Sequence, residues 1–577
     1  MASSNIQSGD TTLRDSSLIL LAAFVVVLPL LLRGASCGHD LDFHMTNWLE
    51  VSEQWWHGIL WPRWAFTPAW GAGEPRFVFY PPLSWLLGSL FALALPIRLV
   101  PAAFTFVALT ACGFTMRRLA SEWVAPHCAL LAAVFYLANP YMLFVAYERC
   151  AYGELLAAAW MPLLLLAVLR DTLSIRRVAI AVALVWLTNV PSALMSCYLF
   201  ALLLVLRLLI VYRNAFSGRR IAAMAPLFFP AVSGVLLGLG LSAFYLLPVL
   251  WEHRWVHMEL AMPPGMRPQD NTLFHHTPDI LHDHVLWTAS HLALLMMAIA
   301  VVFLFFAWRR RRRPERRLIV VLGIAVVALG FALTHASLFA WRLPELQYLQ
   351  FPWRLLALLG AVCALLLGLA VRGRRSTLLI VSILLPFALV PPSWHQFQIP
   401  SLYDDQPSAQ LAYFRTSYGV PPFDEYTPRT ASNAALKDAV NPYWTSSDPQ
   451  SLSRHRSGAN GSIDFSTNQS FHIPAPHAQY LVIRLRNYPG WRLRINGVSP
   501  VLIPRPDGYF AVALPPGDAA VTLRYRIMPD ALLGLLISLI SLTLFFFLRR
   551  RARHGGMNPL SIPIPQPPSF LPGALPT

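Results

Sequence analysis

The feature that most constrains this chain is a succession of long apolar segments separated by short polar runs. A helix needs roughly 20 apolar residues to cross a bilayer. Spans of that kind read at 16–33, 100–116, 123–138, 154–169, 177–190, 191–212, 222–250, 289–308, 317–334, 355–371, 377–392 and 529–548. The 577 residues are 56% hydrophobic and 13% charged, with mean hydropathy +0.51, which excludes an ordinary soluble globule. The expected fold is a polytopic α-helical membrane protein of about twelve transmembrane helices.

The formal charge of +17 comes almost wholly from Arg, with Lys437 the single lysine. These arginines fall in short runs between apolar segments, the mark of cytoplasmic loops rather than of a nucleic-acid-binding face. Ser84–Leu95 is apolar but short, bracketed by Pro81-Pro82 and Pro96. Read as an interfacial or re-entrant helix, it places Arg117-Arg118, Arg176-Arg177, Arg219-Arg220, Arg309–Arg313, Arg374-Arg375 and Arg549–Arg551 all inside. Read as a crossing, it puts Arg117-Arg118, then Arg176-Arg177, then the Arg309–Arg313 run outside. The positive-inside rule therefore favours both termini in the cytoplasm, with Arg33 snorkelling at an outer helix end. The first span ends at Arg33 without a small-residue cleavage site, so no cleavable signal is expected.

With that topology the chain divides into a cytoplasmic segment 1–15, a transmembrane domain 16–392, an outer domain 393–528, a last span 529–548 and an Arg/Pro-rich cytoplasmic tail 549–577. The outer face collects 34–99, 139–153, 251–288, 335–354 and 393–528, and nearly every acidic residue of interest lies there. Within 34–99, Phe43–His57 reads as an amphipathic helix lying on the membrane. Met45, Trp48, Trp55 and Ile59 form its apolar stripe, and His44, Glu50, Glu53 and His57 lie off it. Asp42 is placed to cap this helix and Gly58 to end it. Trp48, Trp55, Trp56, Trp61 and Trp64 read as interfacial anchors, one of which could stack on a sugar.

Residues 393–528 are polar and rich in Pro, Ser and Asn. Tyr480–Arg486, Trp491–Asn496, Tyr509–Ala513 and Ala520–Ile527 alternate as strands joined by Pro-Gly, Asn-Gly, Asp-Gly and Pro-Pro-Gly turns. That predicts a compact extracytoplasmic β-rich domain anchored by the last helix. The tail from Gly555 is Pro-rich and reads as disordered. The six cysteines include no CxxC. Cys112, Cys128, Cys197 and Cys363 read as small hydrophobes, whereas Cys37 and Cys150 share the outer face and could pair. His275, His276, Asp279, His282, Asp283 and His284 cluster in 251–288. With Thr277 as cap and Pro278 at the first helical position no His pair falls at i, i+4, so solvated histidines are favoured over a metal site.

Several motifs resemble a known group. His39-Asp40…His44, Gly58-Ile59-Leu60-Trp61-Pro62-Arg63-Trp64, Gly71-Ala72-Gly73…Phe79-Tyr80-Pro81-Pro82-Leu83, Tyr147-Glu148-Arg149…Gly153-Glu154 and Gln350–Arg354 are similar to bacterial membrane proteins labelled 6-pyruvoyl-tetrahydropterin synthase-related, akin to the YfhO-like proteins. No soluble pterin-forming fold is visible in the chain, so that label's chemistry is not carried over. The layout also resembles the GT-C superfamily of glycosyltransferases, which move a sugar from a polyprenyl-phosphate donor to an acceptor outside the membrane. The resemblance implies a multi-pass protein of the bacterial inner membrane, a polyprenyl-phosphate-linked sugar and a glycan or protein acceptor as partners alongside membrane lipids, and a possible divalent metal. By position it carries the first-loop acid onto Asp40 and the second acidic site onto Glu148 or Glu154. The chain lacks the family's adjacent Asp-Glu in the first loop and its Asp in the second.

The residues themselves give each role a physical basis. Transfer to an acceptor hydroxyl requires a carboxylate to take its proton, and Asp40 and Asp42 would share a side with His44 in an extended segment. If Asp42 caps the helix, Asp40 is the better base. Arg354 offers a guanidinium fork to a phosphate at an outer helix end, or an interfacial anchor beside Trp353. Arg149, Arg63 and Arg76 read first as local ion pairs. His39, His44, Arg149, Arg354 and Tyr80 complete the candidate binding set, with no metal ligand assigned. The competing function is a non-catalytic transporter or a scaffold for envelope-polysaccharide assembly. Spans nearly free of mid-helix charge speak against a transport path.

Overall fold

The computed structural model describes residues 2–399, 407–415, 419–437, 441–452 and 463–554. The Pro-rich stretch from Gly555 lies outside the described residues. The helices that matter here are α1 (Ala2–Arg33), α2 (Leu41–Trp56), α3 (Pro82–Ala94), α4 (Val100–Ala120), α5 (Pro126–Leu137), α6 (Tyr152–Ala158), α7 (Met161–Leu169), α8 (Ile175–Trp186), α9 (Val190–Asn214), α10 (Arg220–Leu241), α11 (Ala243–Glu252), α12 (Ile280–Arg310), α13 (Arg313–Ala332), α14 (Leu356–Ala370), α15 (Arg375–His395), α16 (Pro407–Arg415) and α17 (Pro529–His554). Ten helical segments among the described residues are long and apolar enough to cross a membrane. The chain is a polytopic α-helical membrane protein with a β-rich domain.

Two of the twelve expected spans fall outside that set of ten for physical reasons. The 177–190 segment forms α8, only 12 residues long, and 317–334 forms α13, whose first turns carry Glu315, Arg316 and Arg317. The expected single span 222–250 is two helices that meet at Ser242, whose hydroxyl donates back to the Gly238 carbonyl at 3.1 Å. The expected loop 139–153 is largely helical. Asn139 accepts from Tyr141 N and Met142 N to start a short helix at Pro140–Leu143, which widens into a π-turn over Phe144–Glu148.

The first outer segment is not draped on a surface. Helix α2 begins at Leu41, so the cap position belongs to Asp40 and not Asp42, and both faces of the helix are buried along most of its length. Gly58 follows its end at φ 79°, in the left-handed region that glycine occupies without strain. The apolar side drives Trp48 against Phe104 of α4, stacked at 5.4 Å, and into α3 where Gly88 leaves no room for a side chain. The polar side is covered too. Glu50 accepts from Phe66 N at 2.6 Å, Thr67 N at 3.2 Å, Gln54 Nε2 at 3.0 Å and the Thr67 hydroxyl at 2.5 Å, which pins the loop that follows. Burial of Glu50 raises its pKa and these four donors oppose that shift. Trp48 and Trp64 are fully buried, not interfacial anchors, while Trp56 and Trp61 stay exposed.

The C-terminal strands form two antiparallel three-stranded sheets. One orders β1 (Tyr443–Ser446), β3 (Gln479–Arg486) and β5 (Tyr509–Leu514) as β1-β3-β5; the other orders β2 (Asn468–Ala475), β6 (Gly517–Tyr525) and β4 (Trp491–Ile495) as β2-β6-β4. The alternating runs foretold β3 to β6, whereas β1 and β2 were missed. Their outward residues are polar, and β1 is only four residues long. Leu481, Ile483, Val512, Val521 and Leu523 share one core with Trp64, Phe66, Val78 and Phe79 of the first outer segment. The β-rich part and the first outer segment are therefore one packed body. Backbone bonds stitch it: Arg486 N to Ala72 O at 3.1 Å, Trp70 N to Val420 O at 3.0 Å and Val420 N to Thr67 O at 2.9 Å. Gly419, at φ 79°, lies so close to Thr67 O that a side chain there would collide with backbone.

Candidate active site

Five elements converge at one end of the bundle: the start of α2, the π-turn, α6, the start of α12, and the short turn Pro352–Leu355. Asp40 holds the cap position of α2 yet makes no capping bond with its side chain. Its Oδ2 instead faces Arg149 Nη2 at 3.4 Å, and its backbone N donates to Arg149 O at 2.9 Å. A carboxylate drawn away from a helix end that would stabilise it is a local rule broken for another purpose.

Arg149 is the hub. Nη1 donates to Glu154 Oε2 at 2.6 Å, and Cζ lies 4.7 Å from the Trp353 ring. Burial works against its charge, but Glu154 and then Asp40 outweigh that effect and hold the guanidinium protonated. Glu154 also accepts from the Tyr141 hydroxyl at 2.5 Å and lies 3.5 Å from Arg354 Nε. Arg354 donates through Nη1 to Leu349 O at 2.9 Å and to Gln350 Oε1 at 3.3 Å; its buried Nε has no hydrogen-bond acceptor. Two guanidiniums thus converge on Glu154, and one of them reaches out to Asp40, whose side chain is 39% exposed.

Strain marks the same two arms. Cys150, next to Arg149, sits at φ 53°, and Gln350, four residues before Arg354, at φ 60°. Non-glycine residues in this region carry backbone strain that tends to gather at functional sites. Cys150 and Cys37 form no disulfide; Cys150 Sγ lies 3.1 Å from Ser36 O.

Glu148 closes the π-turn and forms no ion pair with either arginine among the described residues. Its buried Oε1 makes no hydrogen bond and lies 3.3 Å from Nδ1 of His284, an imidazole 67% exposed near the start of α12. That helix is capped by Asp279, which accepts from Leu281 N at 3.0 Å and His282 N at 3.3 Å, and not by Thr277 with Pro278. The histidine cluster is dispersed accordingly. His276 meets Asp283 at 3.2 Å, and buried His282 bonds Asn271 at 2.7 Å.

The remaining candidates sort by position. His44 is buried against Tyr152 (5.3 Å) and Tyr80 (6.0 Å), and burial lowers its pKa to about 4 against the pull of Asp40, so it is a neutral ring at pH 7. Burial and then Asp40 raise the Tyr80 pKa, which keeps its hydroxyl neutral; Gly153 lies close beneath that oxygen. His39 is exposed beside Asp40. Asp42 is exposed, accepts from Phe43 N at 2.7 Å and does not share a side with Asp40, because the chain is already helical there. The structure therefore brings Asp40, Arg149, Glu154 and Arg354 together, sets Glu148 beside them on His284, and leaves Asp42 apart. Sequence reasoning missed Tyr141 and the pairing of His284, for which spacing gives no signal. Arg76 forms a local ion pair with Glu74, whereas Arg63 pairs with distant Glu252 at the end of α11, both at 2.7 Å.

The donor set does not fit a divalent cation. Glu154 and Asp40 already face guanidiniums and Glu148 an imidazole, and among the described residues no three His, Cys, Asp or Glu side chains converge as a metal site.

No family model matches the chain, and neither does any curated protein. Among solved structures, the cryo-EM structure of the arabinofuranosyltransferase AftD from Mycobacteria matches with 16% sequence identity and a TM-score of 0.38. The match covers 67% of this chain and 27% of that one, so this chain spans about a quarter of that protein's length. A likeness at that level does not assign a family.

Proposed function

We propose that the chain is an inverting, GT-C-like membrane glycosyltransferase that moves a sugar from a polyprenyl-phosphate donor to a glycan or protein acceptor on the outer face of the bacterial inner membrane. The observation that carries this reading is the charge chain Asp40–Arg149–Glu154–Arg354. A half-exposed carboxylate and a buried pair of guanidiniums meet where helices leave the membrane. Guanidiniums bind phosphate oxygens through paired N–H donors, and the buried Nε of Arg354 stands 3.5 Å from Glu154 Oε2 without forming a hydrogen bond to it.

In this reading the acceptor oxygen attacks the anomeric carbon while Asp40 takes its proton. The bond from that carbon to the phosphate oxygen breaks, and its electron pair leaves on the lipid phosphate. Arg354 and Arg149 offset the charge that develops there. Glu154 touches no substrate and holds both guanidiniums in place with Tyr141. Neutral His44, His39 and Tyr80 line the sugar's side, and Glu148 with His284 lies toward the acceptor. The β-rich body, fused to the first outer segment, recognises the acceptor.

The test is transfer of a radiolabelled polyprenyl-phosphate sugar by purified protein with membranes as acceptor. Wild type transfers label and Asp40→Asn does so at least 100-fold more slowly. Equal transfer by both removes Asp40 from the mechanism. Absence of transfer by wild type across a panel of donor sugars favours a scaffold for envelope-polysaccharide assembly.

A further inference from the structure

At the opposite end of the bundle the arginines behave in two ways. Arg117 pairs with Asp15 at 2.7 Å, Arg118 and Arg170 with Glu122 at 3.4 and 2.7 Å, and Arg311 with Glu315 at 3.5 Å. Arg213, Arg219 and Arg220, in the turn between α9 and α10, pair with no carboxylate among the described residues. Arg220 Cζ lies over the Tyr212 ring, 4.9 Å from its centre, and its buried Nε has no acceptor. Both helices are long and apolar enough to span, so this turn lies at a membrane surface. Phe216 beside it is 89% exposed and Ile221 83%, as suits side chains that enter lipid.

An apolar groove of about 340 Å³ opens next to these charges, lined by Val205, Leu208, Leu209, Tyr212 and Met224, with no polar surface. Cationic side chains without protein anions, set above a groove with only apolar walls, match the two halves of one ligand. We propose that the α9–α10 hairpin binds an anionic phospholipid, its phosphate on Arg213, Arg219 and Arg220 and an acyl chain along the groove. A headgroup phosphate supplies the acceptor that Arg220 Nε lacks, and the groove distinguishes a phospholipid from free phosphate. The site is far from Asp40 and does not depend on the transferase reading.

The experiment is native mass spectrometry of the purified full chain, delipidated in detergent and titrated with phosphatidylglycerol or phosphatidylcholine. Each arginine near an anionic headgroup contributes enough that Arg213→Gln/Arg219→Gln/Arg220→Gln should weaken phosphatidylglycerol retention about 100-fold. Leu209→Trp, which fills the groove and leaves the charge unchanged, should weaken it about tenfold. Arg213→Gln alone, at an exposed residue, keeps a folded protein for the comparison and should lose about fivefold. Equal retention of phosphatidylglycerol by wild type and the arginine variants, equal retention of phosphatidylcholine, or displacement of the lipid by millimolar inorganic phosphate would each overturn the proposal.

Discussion

Replacing Glu154 with alanine removes the one anion that two buried guanidiniums share. Wild-type Glu154 is 2.6 Å from Arg149 and 3.5 Å from Arg354, and it accepts from Tyr141 at 2.5 Å. Breaking a buried ion pair by deleting one partner costs about 3–5 kcal/mol, because the other charge stays buried without compensation. The orphaned Tyr141 hydroxyl adds about 1 kcal/mol. Asp40 softens the loss only in part, since it reaches Arg149 alone and at 3.4 Å. Glu154→Ala should therefore destabilise the protein by about 4 kcal/mol in thermal unfolding of the detergent-solubilised chain. Glu154→Gln keeps the volume and an acceptor for Tyr141 and should lose about half as much. Combining Glu154→Gln with Arg354→Gln restores the charge balance, so the double variant should be more stable than the sum of the singles by about 1 kcal/mol or more. A Glu154→Ala loss below about 1 kcal/mol, or strict additivity with Arg354→Gln, would refute the view that Glu154 holds the two arginines.

Other consequences are independent of that one. Burial raises the Glu252 pKa to about 7 from an ordinary value near 4.5, against Arg63 and Tyr488. A carboxyl with a raised folded pKa binds its proton more tightly when folded, so its contribution is intact below about 4.5 and lost as pH rises through about 7. Unfolding free energy should fall by on the order of 1–3 kcal/mol across that window, and Glu252→Gln should flatten the dependence. Gly88→Val, whose side chain would strike the Trp48 indole, should cost about 1–3 kcal/mol and alter the near-UV signal of that ring. His284→Ala, at an exposed imidazole, should leave stability within about 0.5 kcal/mol yet slow transfer about tenfold or more, as initial rates at saturating donor would show. Arg354→Lys keeps the charge but loses the fork, and should raise the donor KM more than it lowers kcat.

Much of the fold was legible because bilayer physics writes itself into composition. Ten expected spans, the short α3 and four strands follow from apolar length, proline brackets and alternation. What stayed hidden depends on contacts between distant segments. Trp48 and Trp64 look like interfacial anchors until α4 and the β-sheets cover them. Glu50 looks solvated until the chain at Phe66 and Thr67 folds back onto it. The cap was misplaced from Asp40 to Asp42 because Asp40 spends its side chain on Arg149, 109 residues away. Of the candidate site, Asp40, Arg149, Glu154 and Arg354 were named from type and position. Their union on Glu154, the Tyr141 hydroxyl and the turn of His284 toward Glu148 are tertiary facts that no spacing encodes.

The central claim is that Asp40 and the two arginines act on one phosphate-bearing donor. Its most direct measurement is single-turnover transfer from a radiolabelled polyprenyl-phosphate sugar, with wild type compared with Asp40→Asn and Arg354→Gln at equal folded protein. The account predicts that Asp40→Asn still binds the donor but loses at least 100-fold in the transfer step, while Arg354→Gln loses donor affinity as well. Transfer at the wild-type rate by Asp40→Asn, or undiminished donor binding by Arg354→Gln, would contradict it.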